Sequence, residues 1–229
     1  MRAVAAVVLA VACGGTRSPA EDPARARERM VRDQVEASGV TDARTLAALR
    51  KVQRHLFVPP AQAALAYADH PLPIGDGQTI SQPYIVAVMT EAIRLRGGEN
   101  VLEIGTGSGY QAAVLAEMDA KVYTVEIVPS LARKARATLA RLGYRTIEVR
   151  EGNGWAGWAE KAPFDAIVVT AAAPTVPEAL KGQLREGGRL VIPVGDDVQE
   201  LRLLTRRGSS FEERRLLPVR FVPLVAEPR

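Results

Sequence analysis

The segment Val101-Leu102-Glu103-Ile104-Gly105-Thr106-Gly107-Ser108-Gly109-Tyr110-Gln111 permits few folds. A short run of strand character meets three glycines at alternate positions, and helix-forming residues follow. Glycine tolerates positive φ and presents no side chain, so the chain turns sharply there and leaves its backbone open to a ligand. A strand that exits through such a turn into a helix opens a βαβ unit, and in open α/β sheets ligands gather at the carboxyl ends of the strands.

The surrounding pattern repeats this unit. Periodicity predicts helices over 84–95, 110–117, 129–142 and 177–184. It predicts strands over 100–104, 121–126, 146–150, 164–170 and 189–194. Alternating strands and helices give a mostly parallel sheet with helices on both faces. Two late strands, 201–205 and 218–222, flank the polar stretch 206–210 and predict an antiparallel edge hairpin. Ahead of this lies a helical lead-in. Met30, Val31 and Val35 mark one face of a helix over 25–38 that Gly39 stops. Thr41-Asp42 opens a second helix to about Val52, and 61–67 has the character of a further helical turn.

At 229 residues and 47% hydrophobic, the chain fits one α/β domain over 25–229, with 25–84 as its lead-in. The extension 1–24 has two readings. Met1-Arg2, a small apolar run to Ala12 and then Cys13-Gly14-Gly15 have the shape of a short export signal, with a weak lipoprotein-type cleavage box at Cys13. Alternatively, Met30 is the true start. The apolar run is shorter than the ~20 residues a bilayer crossing needs, so no stable membrane insertion is expected. The net charge of +4 comes from scattered arginines with no basic stripe interleaved with aromatics, and no nucleic-acid partner is expected. One cysteine excludes an intrachain disulfide. Two histidines, His55 and His70, without Cys/His spacing give no metal site.

The glycine turn admits two cofactor classes. Dinucleotide sites have G-x-G-x-x-G, whereas this turn is G-x-G-x-G with Tyr110 at the third glycine's position. Glu103 would repel a pyrophosphate but tolerate a cationic sulfonium. Glu126 ends the next strand 17 residues beyond Gly109, where a carboxylate accepts hydrogen bonds from ribose hydroxyls. Asn153-Gly154, after the third strand, reaches the same sheet edge and offers a polar side chain to an adenine amine. Residues 101–109 resemble the first motif of S-adenosylmethionine-dependent methyltransferases, with Glu103, Gly105, Thr106 and Gly107 as cofactor-binding positions.

The segment Pro71-Leu72-Pro73-Ile74-Gly75-Asp76-Gly77-Gln78-Thr79-Ile80-Ser81-Gln82-Pro83-Tyr84 has no regular period. Loops of this kind between compact elements are often functional. Ser81 also reads as a cap for the helix that Pro83 begins. Together with 101–111, 163–172 and 219–224, this segment closely resembles the protein-L-isoaspartate O-methyltransferase family, from about Arg27 to Val225. The resemblance implies a Rossmann-like, seven-stranded methyltransferase sheet and S-adenosyl-L-methionine as cofactor. It implies isoaspartyl-containing peptides and proteins as substrates for repair, and a monomer in the cytoplasm, where that cofactor is made. It also implies that Ser81 is catalytic, orienting the substrate carboxylate, with Gln78 and Thr79 beside the cofactor. Position 153 departs from the family's Asp. Asn153 keeps an acceptor but loses the charge, so weaker or altered adenine binding is expected. The Asn-Gly pair is itself prone to deamidation.

Methylating a carboxylate needs no general base, because a group of pKa ~4 is ionised at neutral pH. The lack of a histidine among the motifs agrees with this. A methyltransferase of the same fold acting on another carboxylate or a small molecule is the main alternative. An oxidoreductase and a non-catalytic binding module are more distant ones.

Overall fold

The structure, a computed structural model, describes residues 21–227. The readings placed on Met1, Cys13 and the leader up to residue 20 lie outside the described residues. Asp22 accepts the Ala24 amide and starts helix α1 (Pro23–Arg29), which continues as a π-helical stretch over Met30–Glu36. That stretch buries Met30, Val31 and Val35, the face expected from their spacing. Helix α2 (Ala43–Lys51) begins at Asp42, whose carboxylate accepts the Thr45 amide at 2.8 Å.

The segment read as aperiodic contains a hairpin. Strand β1 (Leu72–Gly75) pairs antiparallel with β2 (Gln78–Ile80), and Leu72, Ile74 and Ile80 point into the core. Its turn is Asp76-Gly77, with φ of 52° and 69°, the geometry that two-residue primed turns demand. Strands this short carry too few residues for their alternation to stand out.

Helix α3 (Pro83–Ile93) follows, and here the capping expectation fails. Ser81 does not cap it. Asp69 Oδ1 accepts the Tyr84 amide at 2.9 Å instead, and Gln82 at the cap position makes no side-chain capping bond. The helix stops at Arg94, in the left-handed region at φ 49°, before Gly97-Gly98.

The main sheet is built from β3 (Asn100–Ile104), β4 (Lys121–Glu126), β5 (Glu148–Glu151), β6 (Phe164–Val169), β7 (Leu184–Val194), β8 (Gln199–Arg207) and β9 (Ser210–Val219). Helices α4 (Tyr110–Glu117), α5 (Pro129–Arg141) and the short α6 (Glu178–Gly182) connect them. The order is β5-β4-β3-β6-β7-β8-β9, parallel through β7 and antiparallel across β7, β8 and β9. The expected seven-stranded, mostly parallel architecture with an antiparallel edge hairpin is therefore present. The last strand differs from expectation. It spans 210–219 rather than 218–222, because the chain turns at Gly208-Ser209 and charged residues fill the exposed edge strand.

Alternate residues of β3 and β6 face opposite sides of the sheet. Val101, Ala166 and Val168 join the core beneath α2–α5, while Leu102, Ile104, Ile167 and Val169 join a second core with Phe164 and Leu180. Strand β3 is the switch point: β4 lies on one side and β6 on the other, which leaves a crevice beyond its carboxyl end.

Candidate active site

The glycine turn leaves β3 at this crevice. Gly105 has φ 92°, and a Cβ there would come within 2.4 Å of Thr170 Oγ1, so no other residue fits without displacement. Thr170, one residue beyond the neighbouring strand β6, closes the turn by donating its hydroxyl to the Gly105 carbonyl at 2.7 Å. Glu126, at the carboxyl end of β4, locks the turn from the other side. Its Oε2 accepts the Gly107 amide at 2.8 Å and its Oε1 accepts the Val128 amide at 3.0 Å. A carboxylate has about four acceptor directions, so two remain free for incoming hydroxyls.

These groups border a cleft of about 430 Å³. Gln78, Thr79, Gly105, Gly107, Glu126 and Gly154 all line it, together with apolar side chains from Ile104, Val125 and Leu224. A polar end and an apolar bed in a space of this size suit a nucleoside, whose base lies on the apolar side chains and whose ribose meets the polar groups. The hairpin is tied over the cleft: Ser130 donates its hydroxyl to Asp76 at 2.8 Å and Lys134 reaches the same carboxylate, which holds Asp76 below the usual carboxylate range.

Three expected cofactor residues sit elsewhere. Glu103 does not line the cleft; it is fully buried beneath the turn. Its Oε2 accepts the Thr124 hydroxyl at 2.5 Å, Oε1 has no partner, and burial pushes its carboxyl up to about 8. Burial favours its neutral form, and its place beneath the turn rather than on the cleft weakens the expectation that Glu103 repels a pyrophosphate. Thr106 is also buried, its hydroxyl 2.6 Å from that of Thr124, and serves the same network. Asn153 is exposed, and its Oδ1 accepts the Trp155 amide at 2.9 Å as a cap on the following turn. Gly154 beside it lines the cleft, and Asn153 itself does not.

Ser81 lies on a second cleft of about 410 Å³, with Tyr84, Arg220 and Phe221 around it. Thr79, Thr170 and Val222 border both spaces, so the two clefts meet at these residues. The Asp69 contact to Tyr84 leaves the Ser81 hydroxyl without a capping duty. Neither cleft is lined by a histidine. His70 pairs locally with the Pro71 carbonyl.

Sequence reasoning missed Asp69, Asp76 and Thr170 as functional supports. Asp76-Gly77 was a readable turn signal. Asp69 acts from outside the segment it holds, and Thr170 acts from the end of β6, distant in sequence. The chain after β9 was also misjudged. It runs irregularly along the cleft wall, with Leu224 held by the Ala172 carbonyl at 2.7 Å.

A parallel sheet with this strand order, a glycine turn after β3 and an acid closing β4 defines the class of Rossmann-like methyltransferases. Comparison with known proteins narrows the class. The family model described as Protein-L-isoaspartate(D-aspartate) O-methyltransferase (PCMT) matches residues 25–229. A protein-L-isoaspartate O-methyltransferase of Gloeobacter violaceus is 58% identical over 200 residues, covering 86% of this chain and 98% of that one. One from Opitutus terrae is 54% identical over 231 residues, covering 99% of each. Among solved structures, a protein-L-isoaspartate O-methyltransferase superposes with a TM-score of 0.80 at 30% identity, over 88% of this chain and 67% of that one. A Plasmodium falciparum protein described as belonging to the same family, solved with S-adenosyl-L-homocysteine, gives 0.77 at 25% identity over 88% and 99%. The chain belongs to the protein-L-isoaspartate(D-aspartate) O-methyltransferase family.

Proposed function

We propose that the chain esterifies the free carboxylate of L-isoaspartyl residues in damaged peptides and proteins, using S-adenosyl-L-methionine. The observation that carries this reading is the junction of two clefts at Thr79 and Thr170, one shaped for a nucleoside and the other exposing Ser81. When bound, the cofactor supplies an electrophilic methyl group.

The protein's own residues do the rest. Glu126 receives the ribose hydroxyls on its free acceptor directions. Gly105 and Gly107 let the backbone approach, Gly154 gives room at the adenine end, and Gln78 and Thr79 close the cleft from the hairpin. Ser81 donates its hydroxyl to the substrate carboxylate and turns one oxygen towards the junction. No proton needs to be removed from that nucleophile at neutral pH. Rate arises from alignment, which supplies ~7–11 kcal/mol in well-oriented reactions, and from exclusion of water at the junction.

The same proposal takes 25–229 as one methyltransferase domain, working as a monomer in the cytoplasm where its cofactor is made. Among the described residues no helix is long and apolar enough to cross a membrane. The test is methyl transfer from labelled cofactor to a matched pair of peptides, one isoaspartyl and one aspartyl. Labelling of the isoaspartyl peptide alone is expected. Equal labelling of both, or labelling only of small carboxylic acids, overturns the proposal.

A further inference from the structure

Beyond β9 the chain leaves the sheet, yet the stretch 217–225 forms a common wall of both clefts. Leu217 to Val222 border the Ser81 cleft, Val222 to Val225 border the nucleoside cleft, and Val222 belongs to both. A chain that runs past the end of its strand loses the ladder that satisfied its amides and carbonyls, so other groups must fix it.

The nucleoside half of the wall is gripped by the body of the domain. The Ala172 amide donates to the Val222 carbonyl at 2.8 Å, and the Ala172 carbonyl accepts the Leu224 amide at 2.7 Å. The Trp155 indole donates to the Leu224 carbonyl at 3.2 Å. On the Ser81 side β9 ends at Val219, and the next grip is a side chain. Gln199 opens β8 and pairs in register with Val219. Its side chain reaches two residues further along the wall. Oε1 accepts the Phe221 amide at 2.6 Å, and Nε2 donates to the Phe221 carbonyl at 3.2 Å. Nε2 also donates to the Asp196 carbonyl at 3.3 Å, which ties the clamp to the turn between β7 and β8. Turning the amide over would set its oxygen against two carbonyls and its NH2 against an N–H, so the partners admit one orientation. The side-chain amide acts as an extra antiparallel rung beyond the end of the hairpin.

We infer that Gln199 is a positioning residue for the methyl acceptor: by clamping both backbone groups of Phe221, it fixes the face of the Ser81 cleft against which an isoaspartyl peptide lies. The inference rests on the isoaspartyl reading of the site given above. Gln199 lines neither cleft and acts only through Phe221. A general role in holding the fold is the competing explanation. Such a role would be felt in both clefts, whereas loss of the clamp leaves the nucleoside half on its Ala172 and Trp155 anchors.

Gln199→Met in the full chain separates the two, because methionine keeps the length of the side chain and removes all three bonds. KM for an isoaspartyl peptide should rise roughly five- to tenfold, while the calorimetric Kd for S-adenosyl-L-homocysteine and the Tm stay near wild type. Amide hydrogen exchange followed by NMR gives a readout independent of turnover. The Phe221 amide should exchange roughly tenfold faster in the variant, and the Leu224 amide should keep its protection. Unchanged KM or unchanged Phe221 exchange overturns the inference. So does a loss of peptide and cofactor affinity together with a fall in Tm, which would make Gln199 a structural residue. A wild-type protein that fails to label the isoaspartyl peptide overturns the reading of the site and this inference with it; a wild type that labels it, beside a variant of unchanged KM, overturns the inference alone.

Discussion

The two clefts meet at Thr79 and Thr170 but are finished to different degrees. On the nucleoside side almost every polar group already has an intramolecular partner. Glu126 is held by two backbone amides, Thr170 by two carbonyls, and Asp76 by Ser130 and Lys134. On the other side, Ser81 was freed from capping by Asp69 and waits with its hydroxyl unused. The cofactor is one invariant molecule, so a rigid, preorganised site costs little to fill. On the proposed function, damaged proteins differ around each lesion, and a cleft that received them would offer groups that the substrate itself must satisfy.

On this contrast, breaking the rigid side should weaken cofactor binding, and breaking the open side should spare it. The largest effect is expected for Glu126→Ala. Two hydrogen bonds to a charged group, at ~1.5 kcal/mol each, correspond to about a hundredfold weaker cofactor binding. Calorimetric titration measures this directly, and unchanged affinity would remove Glu126 from the ribose role. Ser81→Ala comes next. Turnover on an isoaspartyl peptide should fall roughly ten- to a hundredfold through misalignment, while the Kd for cofactor stays near wild type. A parallel loss of both would make Ser81 a structural residue and erase the contrast. Asp69→Ala is smaller still. It removes the acceptor for the Tyr84 amide, so the turn before α3 loosens. KM for the peptide should then rise severalfold with little change in cofactor affinity.

The sequence exposed these two sides unequally. Strands β3 and β4 coincide with expectation at both ends, because short runs rich in β-branched and apolar residues end in a glycine turn or at an acid. The hairpin β1–β2 was hidden by its shortness, although Asp76-Gly77 marked its turn. The position of Glu126 at the carboxyl end of β4 was legible from spacing alone. The burial of Glu103 and Thr106 was not, since residues at the end of a strand alternate between cleft and core, and only the register decides which faces which. Asp69 could not be found from sequence because its partner lies fifteen residues away, across the hairpin it supports.

Glu103 sharpens the rigid side by pH. Burial raises its carboxyl to about 8, from an unfolded value near 4.5. The neutral form is therefore favoured in the folded state. This stabilisation is complete below pH ~4.5, declines as pH rises through the interval, and is lost above about 8. Glu103→Gln stays neutral throughout. Between pH 5 and 9 the wild-type Tm should fall relative to that of the variant. Parallel melting curves for the two proteins across that range would show that Glu103 is ionised or solvated, and that the turn rests on something other than a dry hydrogen-bonded network.

The smallest effect is expected at Asn153, on the rim between the rigid cleft and solvent. Its Oδ1 caps Trp155, and a carboxylate oxygen makes the same bond, so Asn153→Asp should fold identically. What changes is one charge at an exposed position, which solvent screens, so cofactor affinity should shift severalfold at most. The Asn153-Gly154 pair permits this replacement to occur spontaneously, since glycine leaves the following amide unhindered for attack on the side-chain carbonyl. The reaction must first release Oδ1 from the Trp155 amide, which slows it relative to a free peptide. Aged protein should therefore show partial mass gain in the peptide containing Asn153, more slowly than the isolated peptide does. Trp155→Pro removes the amide that holds the side chain and should accelerate it. An equal rate in folded protein and peptide would mean that the rim is not held by this cap, and that the rigid side of the comparison ends at Gly154.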